Sequence, residues 1–167
     1  MKSLLLVVAF AVSALALAAD APQGLDRLIP FAGTWKTDSQ NYDTPFSKAD
    51  KVSSTLVNQC WKAGAYFVCN QSVNGTSRVL LAFTYLGGDS YGVTYVPADG
   101  GHASSGKLII AGGMWTYPGQ QVNLGQTTYF RNVNIFSDQD HIDFREEYST
   151  DQQNWSLMAE GHEVRVR

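Results

Sequence analysis

From residue 33 to the C-terminus, apolar and polar positions alternate in short runs rich in Val, Ile, Thr, Tyr, Phe and Trp. Gly, Pro, Asn or Asp interrupts these runs about every ten residues, and none repeats apolar positions at helical spacing, so the pattern predicts an antiparallel all-β domain. Strand-like runs fall at 33–38, 51–60, 66–73, 77–86, 90–96, 104–111, 113–117, 127–137, 141–149 and 155–166. The breaks carry turn chemistry. Asn74-Gly75 suits a tight hairpin, Gly87-Gly88-Asp89 and Asp99-Gly100-Gly101 supply positive φ, and Pro118-Gly119 reads as a type II turn. The polar stretch Asp38 to Lys48 reads as one longer loop. One plausible helix precedes the strands, over Ala21 to Phe31, with Pro22 near its start, Leu25, Leu28 and Ile29 at helical spacing, and Pro30 at its end.

Consecutive hairpins leave two exposed sheet edges unless the first and last strands pair. The expected architecture is therefore a roughly ten-stranded up-and-down barrel with a short N-terminal helix. A two-sheet sandwich shares the same periodicity and stays open at this point.

The N-terminus follows a different grammar. Met1 and Lys2 make a basic start, Leu4 to Leu17 is apolar but for Ser13, and Ala16-Leu17-Ala18 has the small-x-small pattern of a cleavage site. This predicts a cleaved signal peptide over 1–18, a single domain over 19–167 and a periplasmic or secreted location. The apolar run is shorter than the roughly 20 residues of a membrane span, so none is expected in the mature chain.

Charge narrows the partners. Without Lys2, 11 basic residues stand against 15 acidic ones, and Lys and Arg are scattered singly rather than in a stripe that neutralises consecutive phosphates. Nucleic acid is not an expected partner. Export also gives the two cysteines a meaning. Cys60 and Cys69 flank the turn-prone Ala63-Gly64-Ala65, and an oxidising compartment favours a disulfide across that hairpin over free thiols.

Gly33-Thr34-Trp35, opening the first strand directly after a short helix, resembles the Gly-x-Trp signature of lipocalins and related calycin barrels. Ser149-Thr150-Asp151 leading to Trp155, then a last strand bearing Arg165 and Arg167, is similar to a group of exported bacterial calycin-like proteins of uncharacterised function. The resemblance covers the mature chain. It implies that Trp35 plugs one end of the barrel and that Arg165 or Arg167 covers its face by a cation–π contact, so that Gly33, Trp35, Arg165 and Arg167 are structural.

Alternation in Val79, Leu81, Phe83, Tyr85 and in Tyr91, Val93, Tyr95 gives these strands an aromatic, inward face. The expected ligand-lining residues are Phe83, Tyr85, Tyr91, Tyr95, Trp115, Phe130, Phe144 and Glu146, the last a carboxylate among Ile142, Phe144 and Tyr148. A last hairpin turning symmetrically about Gln152 brings Glu160 and His162 onto the same inner face. A slip of one residue sends both outside and brings Trp155, Leu157, Ala159 and Gly161 in, and the sequence leaves the two registers open.

No Gly-x-Ser-x-Gly elbow, His-Glu-x-x-His or phosphate-cradling Gly loop is present in the sequence. The expected function is an exported protein that binds a small apolar or amphipathic molecule inside a barrel, without a cofactor. Two alternatives stay open. One is an enzyme using Glu146, Glu160 or His162 as acid–base groups. The other is haem or metal ligation through His162, which resembles the proximal histidine of the haem-binding calycin barrels called nitrobindins. Their Gly-rich extension after the tryptophan is replaced here by Lys36-Thr37-Asp38-Ser39.

Overall fold

Period-two runs separated by tight turns can satisfy their backbone groups only by pairing with their neighbours, and here every neighbour pairs. The computed structural model describes residues 24–167, so the proposed signal segment and Pro22 lie outside the described residues. A 3₁₀-helix (Gly24–Phe31) leads into β1 (Gly33–Asn41), β2 (Asp50–Ala63), β3 (Tyr66–Val73), β4 (Thr76–Gly87) and β5 (Ser90–Pro97). The chain continues through β6 (Ser104–Ala111), β7 (Met114–Asn123), β8 (Gln126–Phe136), β9 (His141–Ser149) and β10 (Ser156–Val166). All ladders are antiparallel between consecutive strands, and β1 also pairs with β10 from Thr34↔Val166 to Asn41↔Ala159, which closes the barrel. Closure excludes the two-sheet sandwich.

Three local expectations are corrected. Pro118-Gly119 is not a turn: β7 runs through it, with Pro118 opposite Arg131, and the chain reverses at Leu124-Gly125, whose φ values are 48° and 81°. The ladder between β6 and β7 extends only from Ile109↔Thr116 to Ala111↔Met114. Beyond Thr116 β7 has one free edge, where a residue without an N–H is tolerated. Asp38 to Asn41 continue β1 rather than opening a loop, because β2 and β10 pair with them on both sides whatever their polarity. The helix passes through Pro30 and ends at Phe31.

The helix plugs the end at which β1 begins. Leu28 and Phe31 are buried against Phe67, Phe83, Tyr91, Leu108, Ile110 and Trp115, forming one contiguous core in that half of the barrel. Polar contacts fasten the plug. The Tyr91 hydroxyl donates to Gly24 O at 2.7 Å, the buried Asn58 amide donates to Phe31 O at 3.1 Å, and Arg27 pairs with Asp89 at 2.7 Å. Cys60 and Cys69 face each other across β2 and β3 and are joined by a disulfide. Closing so short a loop contributes up to about 2.5 kcal/mol through the unfolded state.

The same end holds the latch between first and last strands. Trp35 is fully buried, and the Arg165 guanidinium lies 4.0 Å over its ring. That guanidinium also donates to Ala32 O at 2.6 Å, Pro30 O at 2.8 Å and Gln139 O at 2.8 Å. Gly33 makes room for it. Its φ is 138°, and a Cβ there would stand 2.2 Å from Arg165 Nη1. Arg167 points outward and pairs with Asp140.

Candidate functional site: the upper lumen

Away from the plug, the inner faces of the strands border an open cavity of about 420 Å³. Its wall has two sides, set by which strands supply it. Leu56 on β2, Val73 on β3 and Val79 and Leu81 on β4 make an apolar side, interrupted by Ser54 and by Gln71, whose amide donates to Asn58 Oδ1 at 3.0 Å. Tyr117 on β7, Asn132 and Asn134 on β8, Glu146 on β9, Glu163 on β10 and Thr37 on β1 make the polar side, with Phe144 among them. Phe31 forms the floor, and Tyr95 reaches in from β5.

The register of the last hairpin decides what enters. A bulge between Leu157 and Ala159 pairs Ala159 with Glu146, Gly161 with Phe144 and Glu163 with Ile142. Ala159, Gly161, Glu163 and Arg165 therefore share the inner face, while Glu160 and His162 face out. Gly161 is obligatory, since a Cβ would stand 2.3 Å from Asp38 O and 2.8 Å from the Phe144 ring. The grouping of Glu146, Glu160 and His162 as one acid–base site is thus corrected: Glu160 accepts from the Tyr42 hydroxyl at 2.6 Å, and the exposed His162 ring pairs with Asp143, both outside the barrel. Haem ligation inside the barrel through His162 fails for the same reason. Because of the bulge, Leu157 pairs beside the outward Glu147 and not inward, and Trp155 stacks under Arg131 at 4.0 Å, which itself pairs with Glu147 at 2.5 Å. Among the described residues, no three His, Cys, Asp or Glu side chains gather as a metal site.

Of the residues expected to line a ligand, Tyr95, Phe144 and Glu146 border this cavity. Phe83, Tyr91 and Trp115 fill the core beneath it. Phe130 and Tyr148 stand near the open end, each packed edge-on by Phe46 from the 42–49 loop at 5.1 and 5.0 Å. Tyr85 lies at the closed end, its ring tilted against Tyr91 and 41 % exposed, on the border of an external hollow of about 750 Å³ beside the helix.

The lumen is distinguished from that larger hollow by unmet polar valence. Thr37 Oγ1, Tyr117 Oη and Asn132 Oδ1 are buried without a hydrogen-bond partner, and all three belong to the lumen wall. Among the described residues no such atom borders the external hollow, where Arg27 is satisfied by Asp89, Gly88 O and Ile110 O. A buried polar atom left alone costs about 1–3 kcal/mol, and three of them belong to residues around this one void. Asn132 also donates to Glu146 Oε1 at 3.3 Å, which fixes its amide orientation on the lumen wall.

Glu163 is the residue that reading the sequence missed. Burial pushes its carboxyl up to about 7. The neighbouring Thr37 hydroxyl opposes the shift, but its oxygen lacks good hydrogen-bond geometry. Burial likewise raises the Tyr117 and Tyr95 phenols, so both are neutral donors at ordinary pH.

Fold and site together define a closed ten-stranded antiparallel barrel with a two-sided lumen. No protein-family model matches the chain, and no curated protein matches it either. Among solved structures it is similar to Rv2717c from M. tuberculosis, with 12 % identity over 89 % of this chain and 100 % of that one, at a TM-score of 0.55. It is also similar to a protein of unknown function of the DUF3598 family (Npun_R4044) from Nostoc punctiforme PCC 73102, at 18 % identity and a TM-score of 0.56. That match covers 89 % of this chain and 53 % of the Nostoc chain. At these identities the likeness speaks to the fold alone. Among the described residues no helix is long and apolar enough to cross a membrane.

Proposed function

We propose that this chain is an exported, calycin-like carrier that holds one small amphipathic molecule in the upper lumen. The observation that carries the reading is the set of three unpartnered polar atoms, Thr37 Oγ1, Tyr117 Oη and Asn132 Oδ1, around a cavity of about 420 Å³ with an apolar opposite wall. Ligand sites range from roughly 300 to 1,000 Å³ and combine apolar walls with a few convergent polar groups. Binding completes the valence that the fold leaves open, while the apolar half supplies non-directional affinity. The calycin assignment is supported by Gly33, Trp35 and the Arg165 latch. Export is supported by the N-terminal sequence and by the Cys60–Cys69 disulfide, a bond that persists in oxidising compartments.

Native mass spectrometry of the protein recovered from its exporting host tests both parts. The expected spectrum shows a chain beginning at Ala19 with an additional small-molecule mass that denaturation removes. A chain retaining residues 1–18 contradicts export, and a bare mass under conditions that preserve the fold contradicts carriage.

A further inference from the structure

The cavity wall holds two carboxylates, Glu146 and Glu163, and no Lys, Arg or His. Neither carboxylate has a cationic partner. Each has only neutral neighbours: the Asn132 amide donates to Glu146 Oε1 at 3.3 Å, and Thr37 neighbours Glu163. Ionised carboxylates held away from bulk water without a counter-ion are costly, and pairing with a cation offsets that cost. The unmet atoms point the same way. Asn132 Oδ1 is purely an acceptor, and the Thr37 and Tyr117 hydroxyls each offer lone pairs. Tyr117 matters most, because its hydroxyl is fully buried, unpartnered and on the lumen wall, an observation independent of the carboxylates.

Resting on the carrier reading above, we infer that the ligand carries a protonated amine, seated against Glu163 and the Asn132 and Tyr117 oxygens on the polar side, with an apolar tail along Leu56, Val73 and Val79. An ammonium head brings three donors and no acceptor, the complement of an acceptor-rich ring. A hydroxyl head brings one donor, and a carboxylate head meets two like charges. Charge-assisted hydrogen bonds are about twice as strong as neutral ones, so head-group chemistry decides the order of affinity among ligands with the same tail.

Calorimetric titration at pH 8 of the mature protein with n-octylamine, n-octanol and n-octanoate tests this. The expected order is octylamine at least about tenfold tighter than octanol, with octanoate weakest. Glu163→Gln removes most of the amine's advantage over octanol; it replaces a carboxylate by its isostere, and a normal unfolding transition checks the fold. Octanol binding as tightly as octylamine overturns the amine assignment and leaves the carrier standing. An amine preference that survives both Glu163→Gln and Glu146→Gln overturns it as well. Binding of none of the three overturns the carrier reading itself, and the amine with it.

Discussion

Replacing Arg165 by alanine is expected to lower the unfolding free energy by about 3 kcal/mol, the largest effect of any single exchange on the barrel's closure. The guanidinium, 20 % exposed, sits on Trp35 and bonds three backbone carbonyls contributed by two separate segments, Pro30–Ala32 before β1 and Gln139 between β8 and β9. Cation–π stacking supplies roughly 0.5–2 kcal/mol, and truncation leaves the Pro30, Ala32 and Gln139 carbonyls short of a donor. Lysine should restore less than half of the loss, since one ammonium cannot reproduce a planar fork over a ring and three separated acceptors. Denaturant titration of wild type, Arg165→Ala and Arg165→Lys measures this. A loss below about 1 kcal/mol, or full rescue by lysine, would show that β1 and β10 hold together without the latch.

The second large effect concerns Glu163 and is a gain. In the unfolded chain its carboxyl titrates near 4.5, and in the barrel burial moves it to about 7. The folded state therefore binds the proton more tightly. The stability this confers is fully present below about 4.5, is lost as pH rises through 7, and stays lost above. The span is worth about 3 kcal/mol at most, less where water reaches the half-buried group. Glu163→Gln keeps the neutral form at every pH. At pH 8 it should exceed wild type by about 2 kcal/mol, while at pH 4 the two should agree within about 0.5 kcal/mol. Equal stabilities at pH 8 would mean that the carboxylate is solvated and not held in the lumen.

That a stabilising substitution should be available at a lumen carboxylate is itself informative. Proteins retain locally unfavourable groups where function needs them, and on one wall of this cavity Glu163, Tyr117, Asn132 and Thr37 are such groups. The closed-end core shows the opposite character, with Phe83, Tyr91 and Leu108 at 0 % exposure and the polar groups of the helix plug satisfied.

Strand positions were legible because alternation and turn residues are local properties. The expected and observed strands differ mainly at their ends, as for β1, whose rim residues Asp38 to Asn41 carry no apolar signal although the sheet pairs them. Pro118-Gly119 misled for a related reason: whether a proline breaks a strand depends on whether its edge is free, and that depends on how far β6 reaches along β7. The site was only partly legible. Glu146 stands out because its own strand surrounds it with apolar residues, whereas Glu163 sits between His162 and Val164 on a strand whose parity is fixed by the bulge at Leu157–Ala159. A signal did exist. An Arg165 that stacks on Trp35 must point inward, which forces 163 and 161 inward too and 160 and 162 outward. The latch and the lumen are thus one inference made at different positions of β10.

The lumen as a ligand site is tested most directly by filling it. Val79 lines the apolar wall, so Val79→Trp places bulk in the cavity, whereas Leu86→Trp, at a position 59 % exposed, adds the same side chain outside. Fluorescence titration with N-phenyl-1-naphthylamine at neutral pH should give a saturable rise with wild type and Leu86→Trp, and affinity at least about tenfold weaker with Val79→Trp at unchanged fold. Equal binding by all three proteins would place the probe elsewhere and contradict the carrier.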